Sequence, residues 1–182
     1  MKNLRTLGVV IAVSLIGQSV GIAWEADSGD EVQVKAARAI ADFRERIPRT
    51  EFFFEQAYGY AILPSVTRVG FGFGGAYGKG IVIEGDEPIG RTRYWQFSSG
   101  IQAGAKNFSM IVFFKDKQAL DYFKTGQLQF AGQAGLTFAT VGVAGTPAYN
   151  DGVAIVTMTR LGLMGEFSAS GIRFSYKPDS DE

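Results

Sequence analysis

The stretch Val69–Ile83, with the sequence VGFGFGGAYGKGIVI, decides the fold. Every second residue from Gly70 to Gly74 is glycine, with Phe71 and Phe73 between them. Because successive strand side chains point to opposite faces, this alternation places bare backbone on one face and aromatic rings on the other. Several glycines in one strand indicate that another strand, a helix or a ligand approaches the bare face closely. The stretch therefore predicts a β-rich protein with crowded layers.

The same glycines also match a dinucleotide-binding pattern. Gly70, Gly72 and Gly75 satisfy G-x-G-x-x-G, which binds a pyrophosphate only where a helix begins directly after the glycines. Here the glycines lead into Ile81–Ile83, an apolar run typical of a strand. We therefore expect no nucleotide site in this stretch.

The composition restricts the chemistry that is available to the chain. Its 182 residues include 24 glycines and 13% aromatic residues, a balance that favours β structure. It has no cysteine and no histidine, which excludes disulfides, thiolate nucleophiles, histidine-based catalytic triads and the commonest zinc ligand. Carboxylate or lysine catalysis remains possible, but we expect a protein that uses no metal or cofactor and is not an enzyme.

The N-terminus has the features of a secretory signal. Lys2 and Arg5 precede an apolar core at Leu7–Ile16, and small residues at the −3 and −1 positions favour cleavage after Ala23. An uncleaved anchor is the alternative, although the apolar run is short for a membrane span. We expect residues 1–23 to direct export to the periplasm or cell envelope. Cleavage would leave 16 of the 18 basic residues against 18 acidic ones, so the charge balance gives no indication of nucleic-acid binding.

Helical periodicity is clearest just after this segment. Apolar residues at helical spacing predict an amphipathic helix over Asp30–Ile47, with Ser28 or Asp30 as its N-cap. A second, short helix is predicted over Thr50–Ala57 and a third over Asp116–Lys124, each with its first residue as the cap.

The remaining segments predict short strands, with a turn at Pro64 and Ser65. The predicted fold is α+β, with a predominantly antiparallel, Gly-rich, barrel-like sheet, the N-terminal amphipathic helix and one or two further short helices. Residues 24–177 form a single domain in this interpretation, followed by an acidic tail at 178–182. The predicted strands are Tyr58–Leu63, one or two within Arg91–Lys106, Met110–Phe114, Leu128–Gly142, Val153–Thr159, Leu163–Ser168 and Gly171–Tyr176.

Over residues 31–175 the chain resembles the SYLF domain family. The resemblance rests on four matches that occur in the family's order. They are Val34–Arg38 with Ile40 and Phe43; Gly59–Pro64 with Gly70, Gly75, Gly78 and Gly80–Val82; Gly100–Gly104 with the apolar run to Phe114, Ala119, Leu120 and Phe123; and Gly162–Gly165 with Gly171.

The resemblance implies phospholipid binding through the N-terminal helix and a basic surface, without catalysis. Cations that flank the apolar stripe of a helix can meet lipid phosphates, and cations near exposed backbone N–H groups suit a phosphate. The partner expected is an anionic phospholipid or membrane surface, not nucleic acid. The candidate lipid-binding residues are Lys35, Arg38, Arg46 and Arg49 by the first helix, and Arg68, Lys79 and Lys106 beside the Gly-rich strands.

Two other functions remain open at this point. Eight strands of about ten residues would also fit a small outer-membrane β-barrel, in which aromatic residues alternate with small ones. A carboxylate-based enzyme could use Asp86, Glu87 or Asp151, although nothing in their spacing fixes a catalytic pair.

Overall fold

The computed structural model describes residues 24–126, 129–131, 138–140 and 148–179. The expected signal segment and the last three residues of the expected tail lie outside this part of the chain. The described strands join one mostly antiparallel sheet, so the predicted α+β fold class is confirmed. The elements are α1 (Glu31–Arg46), a 3-10 turn (Pro48–Thr50), α2 (Glu51–Gln56), β1 (Gly59–Glu84), β2 (Glu87–Phe114), α3 (Lys117–Lys124), β3 (Gln129–Ala131), β4 (Phe138–Thr140) and β5 (Val153–Pro178).

Three long strands make up most of the sheet. β1 and β2 form a hairpin, and β5 pairs antiparallel with the other side of β2. Beside β5, β3 pairs antiparallel and β4 parallel. The hairpin closes through Gly85 and Asp86, and Gly85 has a φ of 59°, a left-handed conformation that glycine adopts without a steric cost.

Predicted breaks are wrong in each of the three long strands. β2 is one strand from Glu87 to Phe114, where we predicted at least two. β1 continues through Pro64 and Ser65, where the ladder shifts register instead of turning. Proline is tolerated at such a bulge because side chains replace the ladder there. The hydroxyl of Ser109 and the guanidinium of Arg160 both donate to the carbonyl oxygen of Pro64, each at 2.9 Å. Similarly, Val153–Pro178 is one strand where we predicted three.

β1 curls until its beginning lies against its end. The N–H of Gly85 donates to the carbonyl oxygen of Tyr58 at 3.3 Å. A Cβ atom added to Gly80 would lie 2.1 Å from the carbonyl oxygen of Ile62, so only a bare backbone fits at this crossing. The predicted crowding of layers is therefore confirmed, and at Gly80 the close neighbour is the start of the same strand. The strand also runs on to Glu84, so the dinucleotide pattern lacks the helix that it needs.

Hydrophobic clusters cover both faces of the sheet near the ends of the long hairpin. On the inner face, Phe123 of α3 packs against Phe114 and Phe174, with ring centroids 4.8 and 5.5 Å apart. On the outer face, α1 buries Ile40 and Phe43 completely against the sheet. The apolar stripe of α1 is therefore part of the core.

The predicted N-cap is confirmed for the first helix but not for the second. The Asp30 carboxylate accepts from the N–H groups of Val32 and Gln33 at 2.9 and 3.2 Å, so the predicted N-cap of α1 is confirmed. The predicted side-chain cap at Thr50 is wrong, because its hydroxyl donates backwards to the carbonyl oxygen of Ile47 at 2.7 Å. That hydroxyl instead stabilises the link between α1 and α2.

Asp30 also links α1 to the sheet, because its carboxylate forms an ion pair with Arg91 of β2. The hydrogen bond from Arg91 is the main reason why the pKa of the Asp30 carboxyl lies below its usual 3.8. Asp30→Ala should lower the free energy of unfolding by about 1–2 kcal/mol, and Asp30→Asn by less than about 1 kcal/mol because Asn still caps the helix. Urea titrations should show the wild-type advantage over Asp30→Asn intact above pH 4 and lost as pH falls through the lowered pKa. An advantage independent of pH would contradict the ion pair.

Candidate functional site

Four large apolar side chains are exposed together on β1 and β2, far from the core. Phe71 is 88% exposed, Phe73 70%, Phe97 67% and Val69 54%. We call these four residues the aromatic tip. A shallow groove between them is floored by glycine backbone, and its lining comprises Val69, Gly70, Phe71, Phe73, Gly74, Gly75, Phe97 and Gly104. A contiguous apolar surface of this kind marks an interaction site more often than a single exposed side chain does.

The local sequence explains why the tip is exposed. β2 carries extra residues here, because Phe71 is opposite Ala103 while Phe73 is opposite Ser99. Gly72 lies between the two rings with a φ of 71°, in the left-handed region that glycine tolerates. The bulge interrupts the ladder and turns both rings outward, and the surrounding glycines have no side chains with which to cover them.

A pair of aromatic residues adjoins the aromatic tip on the outer face of the sheet. This is the face on which α1 packs over Ile81. Tyr77 lies directly opposite Trp95, with ring centroids 5.8 Å apart. Tyr77 is 41% exposed and Trp95 39%, so each ring has a covered and an open side. Tyr and Trp rings in such half-exposed positions suit an environment that is apolar at one end and wet at the other.

Three cations adjoin this pair on the three long strands: two lie beyond it on β1 and β2, and the third lies beside it on β5. Lys79 of β1 is directly opposite Arg93 of β2, and Arg173 of β5 is directly opposite Trp95. All three side chains are exposed. We call Lys79, Arg93 and Arg173 the cation row. Within residues 24–126, 129–131, 138–140 and 148–179, none of the three forms an ion pair.

A cavity of about 630 Å³ opens beside the cation row at the edge of β5. Lys124 of α3 enters this cavity, but its ammonium group also pairs with Glu84 at 2.8 Å and holds the pKa of that carboxyl below its usual value. Tyr176 also lines the cavity, and burial is the main reason why the pKa of its hydroxyl is raised. The cavity is lined by Trp95, Lys124, Thr125, Gly126, Arg173, Phe174, Ser175 and Tyr176.

The four candidate lipid-binding cations in and just after the first helix are exposed but lie apart from the aromatic tip. Lys35 pairs with Glu31 one helical turn away, at 2.6 Å. Arg38 and Arg46 lie on the solvent side of α1, and Arg49 lies in the 3-10 turn that follows. Since Ile40 and Phe43 of the apolar stripe of α1 are buried in the core, that stripe is not available beside these cations.

The three cations predicted beside the Gly-rich strands have different surroundings. Arg68 is only 6% exposed and donates to the hydroxyl of Ser98 at 3.3 Å. Lys106, opposite Arg68 in the ladder, is half-buried, with its ammonium 5.7 Å from the ring centre of Phe108. Lys79 is thus the one predicted residue that the fold brings into the cation row. Arg93, Arg173 and the aromatic pair were missed, because no pattern in the sequence indicates that they meet Lys79 on one face.

The chain is similar to Beta cell expansion factor A of Aeromonas veronii, with 26% identity over 138 residues. The match covers 74% of this chain and 52% of that protein, so the chain spans about half the length of this curated relative. No family model matches the chain. This similarity, together with the motifs quoted above, supports at most a distant relation to SYLF-type proteins.

Proposed function

We propose that this protein is a non-enzymatic module that binds anionic phospholipid surfaces in the bacterial cell envelope. The observation that carries the proposal is the aromatic tip, whose Phe71 and Phe73 rings are 88% and 70% exposed. The same face of the sheet carries aromatic side chains suited to the interface and cations suited to phosphates. A distant relation to SYLF-type proteins is compatible with this role.

The order of side chains along the strands agrees with the layers of a bilayer surface. Transfer of phenylalanine rings from water to the acyl boundary is favourable, and apolar groups bound at a bilayer surface reach a depth of about 5–10 Å. The aromatic pair, next along the strands, suits the head-group level, where Trp and Tyr are enriched. In the cation row, Arg173 lies level with this pair, and Lys79 and Arg93 lie farther out, where anionic lipids attract Lys and Arg by about 1 kcal/mol each.

No helix in the described part of the chain has the length and apolarity to cross a bilayer. In our proposal the protein binds from one side, with the tip entering only the outer part of a leaflet. The exposed cations near the first helix then act at longer range. Lys35, Arg38, Arg46 and Arg49 attract the protein to an anionic surface, but close contact is made by the sheet.

Vesicle co-sedimentation tests the proposal directly. We expect the purified protein to sediment with vesicles of phosphatidylcholine and phosphatidylglycerol at 50 mM salt, and several-fold less with phosphatidylcholine alone. Raising the salt to 500 mM should weaken binding to the anionic vesicles, because exposed charges are screened, and should leave a residual part that comes from the apolar tip. Absence of sedimentation with both vesicles at 50 mM salt would overturn the proposal.

A further inference from the structure

The pairing of two like charges across β1 and β2 needs an explanation. Lys79 and Arg93 are directly opposite each other in the ladder, a position where like charges destabilise a sheet. The neighbouring cation on the same strand shows how the fold compensates a charge, since Arg91 pairs with both Asp30 and Asp179. In the described residues no carboxylate does the same for Lys79 or Arg93.

The third cation extends this arrangement across the sheet. Arg93 is opposite Ser175 on β5, which makes Arg173 its diagonal neighbour. Directly opposite residues have Cβ atoms about 5 Å apart and diagonal ones about 7–8 Å apart, so three long cationic side chains can reach one small anion. Arg173 and Trp95 also line the cavity beside the row, which provides space for the rest of a ligand.

We propose that Lys79, Arg93 and Arg173 form a binding site for a phosphate group carried by a lipid head group. The guanidinium groups of Arg93 and Arg173 would each donate two parallel hydrogen bonds to phosphate oxygens, and the Lys79 ammonium would add a point charge. Bound phosphate removes the repulsion that the free protein retains. The identification of the phosphate as a lipid's rests on the proposed function; the site itself does not.

The distance from the tip is what favours a lipid head group over a free anion. Phe97 and Arg93 are four residues apart on one strand, which is about 13 Å along its axis. A strand inclined by about 45° would place the cations about 9 Å above the rings. The polar layer on each side of a bilayer is about 5–8 Å thick, so rings in the acyl boundary leave Arg93 near the outer side of this layer, from where its long side chain can reach the phosphates.

Matched neutralisations test the site. Lys79→Gln with Arg93→Gln removes two charges from the row, and Arg38→Gln with Arg46→Gln removes two exposed charges from α1. With vesicles of phosphatidylcholine and phosphatidic acid, we expect at least a tenfold loss of affinity for the row variant and about a twofold loss for the helix variant. Equal losses in the two variants would show a general electrostatic field and overturn the site.

Thermal stability without lipid provides a second readout. If Lys79 and Arg93 repel each other in the free protein, Lys79→Gln should raise the melting temperature by a few degrees. A lowered melting temperature would show that the pair is compensated within the protein, which contradicts the premise of the site.

Soluble phosphate separates this inference from the proposed function. In a Trp24→Phe background, Trp95 reports on the row, because it is 39% exposed beside Arg173 whereas Trp24 is 6% exposed. We expect the phosphatidic-acid vesicles to change Trp95 fluorescence, and inorganic phosphate to do so only at much higher concentration. If inorganic phosphate changes Trp95 fluorescence but the vesicles do not bind, the phosphate site stands and the lipid function fails. No response to either probe overturns the site.

Discussion

Gly80→Ala is expected to be the most destabilising single-methyl change in β1. The added Cβ would lie 2.1 Å from the carbonyl oxygen of Ile62 and 3.0 Å from Cγ of Leu63. Since the nearest obstacle is backbone, no rotamer change relieves the clash, and the two ends of the curled strand must separate. We expect a loss of at least about 3 kcal/mol in the free energy of unfolding, and a melting temperature lower by about 10 °C.

The same strand offers a graded set of controls for this prediction. A Cβ at Gly78 would meet the buried Val66 side chain at 2.7 Å and the Ser65 carbonyl oxygen at 3.0 Å, a milder clash than at Gly80. One at Gly75 would meet only the Gln96 carbonyl oxygen at 3.5 Å, an ordinary contact. Urea denaturation should therefore rank Gly80→Ala as most damaging, Gly78→Ala as intermediate and Gly75→Ala as nearly neutral. A Gly80→Ala protein as stable as Gly75→Ala would show that β1 does not curl against itself.

The helices could be predicted because their signals are local. Asp30 and Asp116 each precede an apolar stripe at helical spacing, and the side chains of both accept from backbone N–H groups in the first turn. The same signal failed at Thr50. A threonine hydroxyl can donate to the carbonyl of a preceding residue as readily as it accepts from the N–H groups of the following helix, and here it donates to Ile47. The apolar stripe of α1 could pack in the core or face a membrane. It packs in the core because the sheet offers it an apolar surface, and local sequence does not reveal that surface.

The length of the strands could not be predicted from local sequence patterns. Pro64 and Ser65 usually interrupt a strand, yet β1 continues because Ser109 and Arg160, distant in sequence, donate to the Pro64 carbonyl oxygen. Tertiary hydrogen bonds thus replaced the ladder at a residue that cannot itself donate.

The cation row depends on a single irregularity in the hairpin. Next to the turn, Glu84 is opposite Glu87, and this register would put Lys79 opposite Thr92. A shift between Val82 and Ile83 moves the pairing by one residue, so that Lys79 meets Arg93 instead. Because a shift of one residue changes the face on which a side chain lies, the row could not be assembled from the sequence without knowing this bulge.

The second prediction with a large effect concerns the aromatic tip. Phe71→Thr with Phe73→Thr should reduce binding to anionic vesicles by about 10- to 100-fold, since burying a phenylalanine ring fully is worth about 1.5–3 kcal/mol and shallow insertion buries part of each. Threonine keeps the preference for strand, and the rings are 88% and 70% exposed, so the stability of the protein should change by less than about 0.5 kcal/mol. Co-sedimentation and urea denaturation of the same preparation measure the two effects separately.

Phe52→Gln is the matched control, because Phe52 is 53% exposed on α2 and does not belong to the tip. It should bind vesicles like the wild type. Salt distinguishes the tip from the cation row: loss of the rings should persist at 500 mM salt, where screening has already removed most of the charge contribution. If the rings instead hold two copies of the chain together, light scattering should show a wild-type dimer that the double variant dissociates, with vesicle binding unchanged. That result would assign the tip to self-association and would leave the lipid proposal without the observation on which it depends.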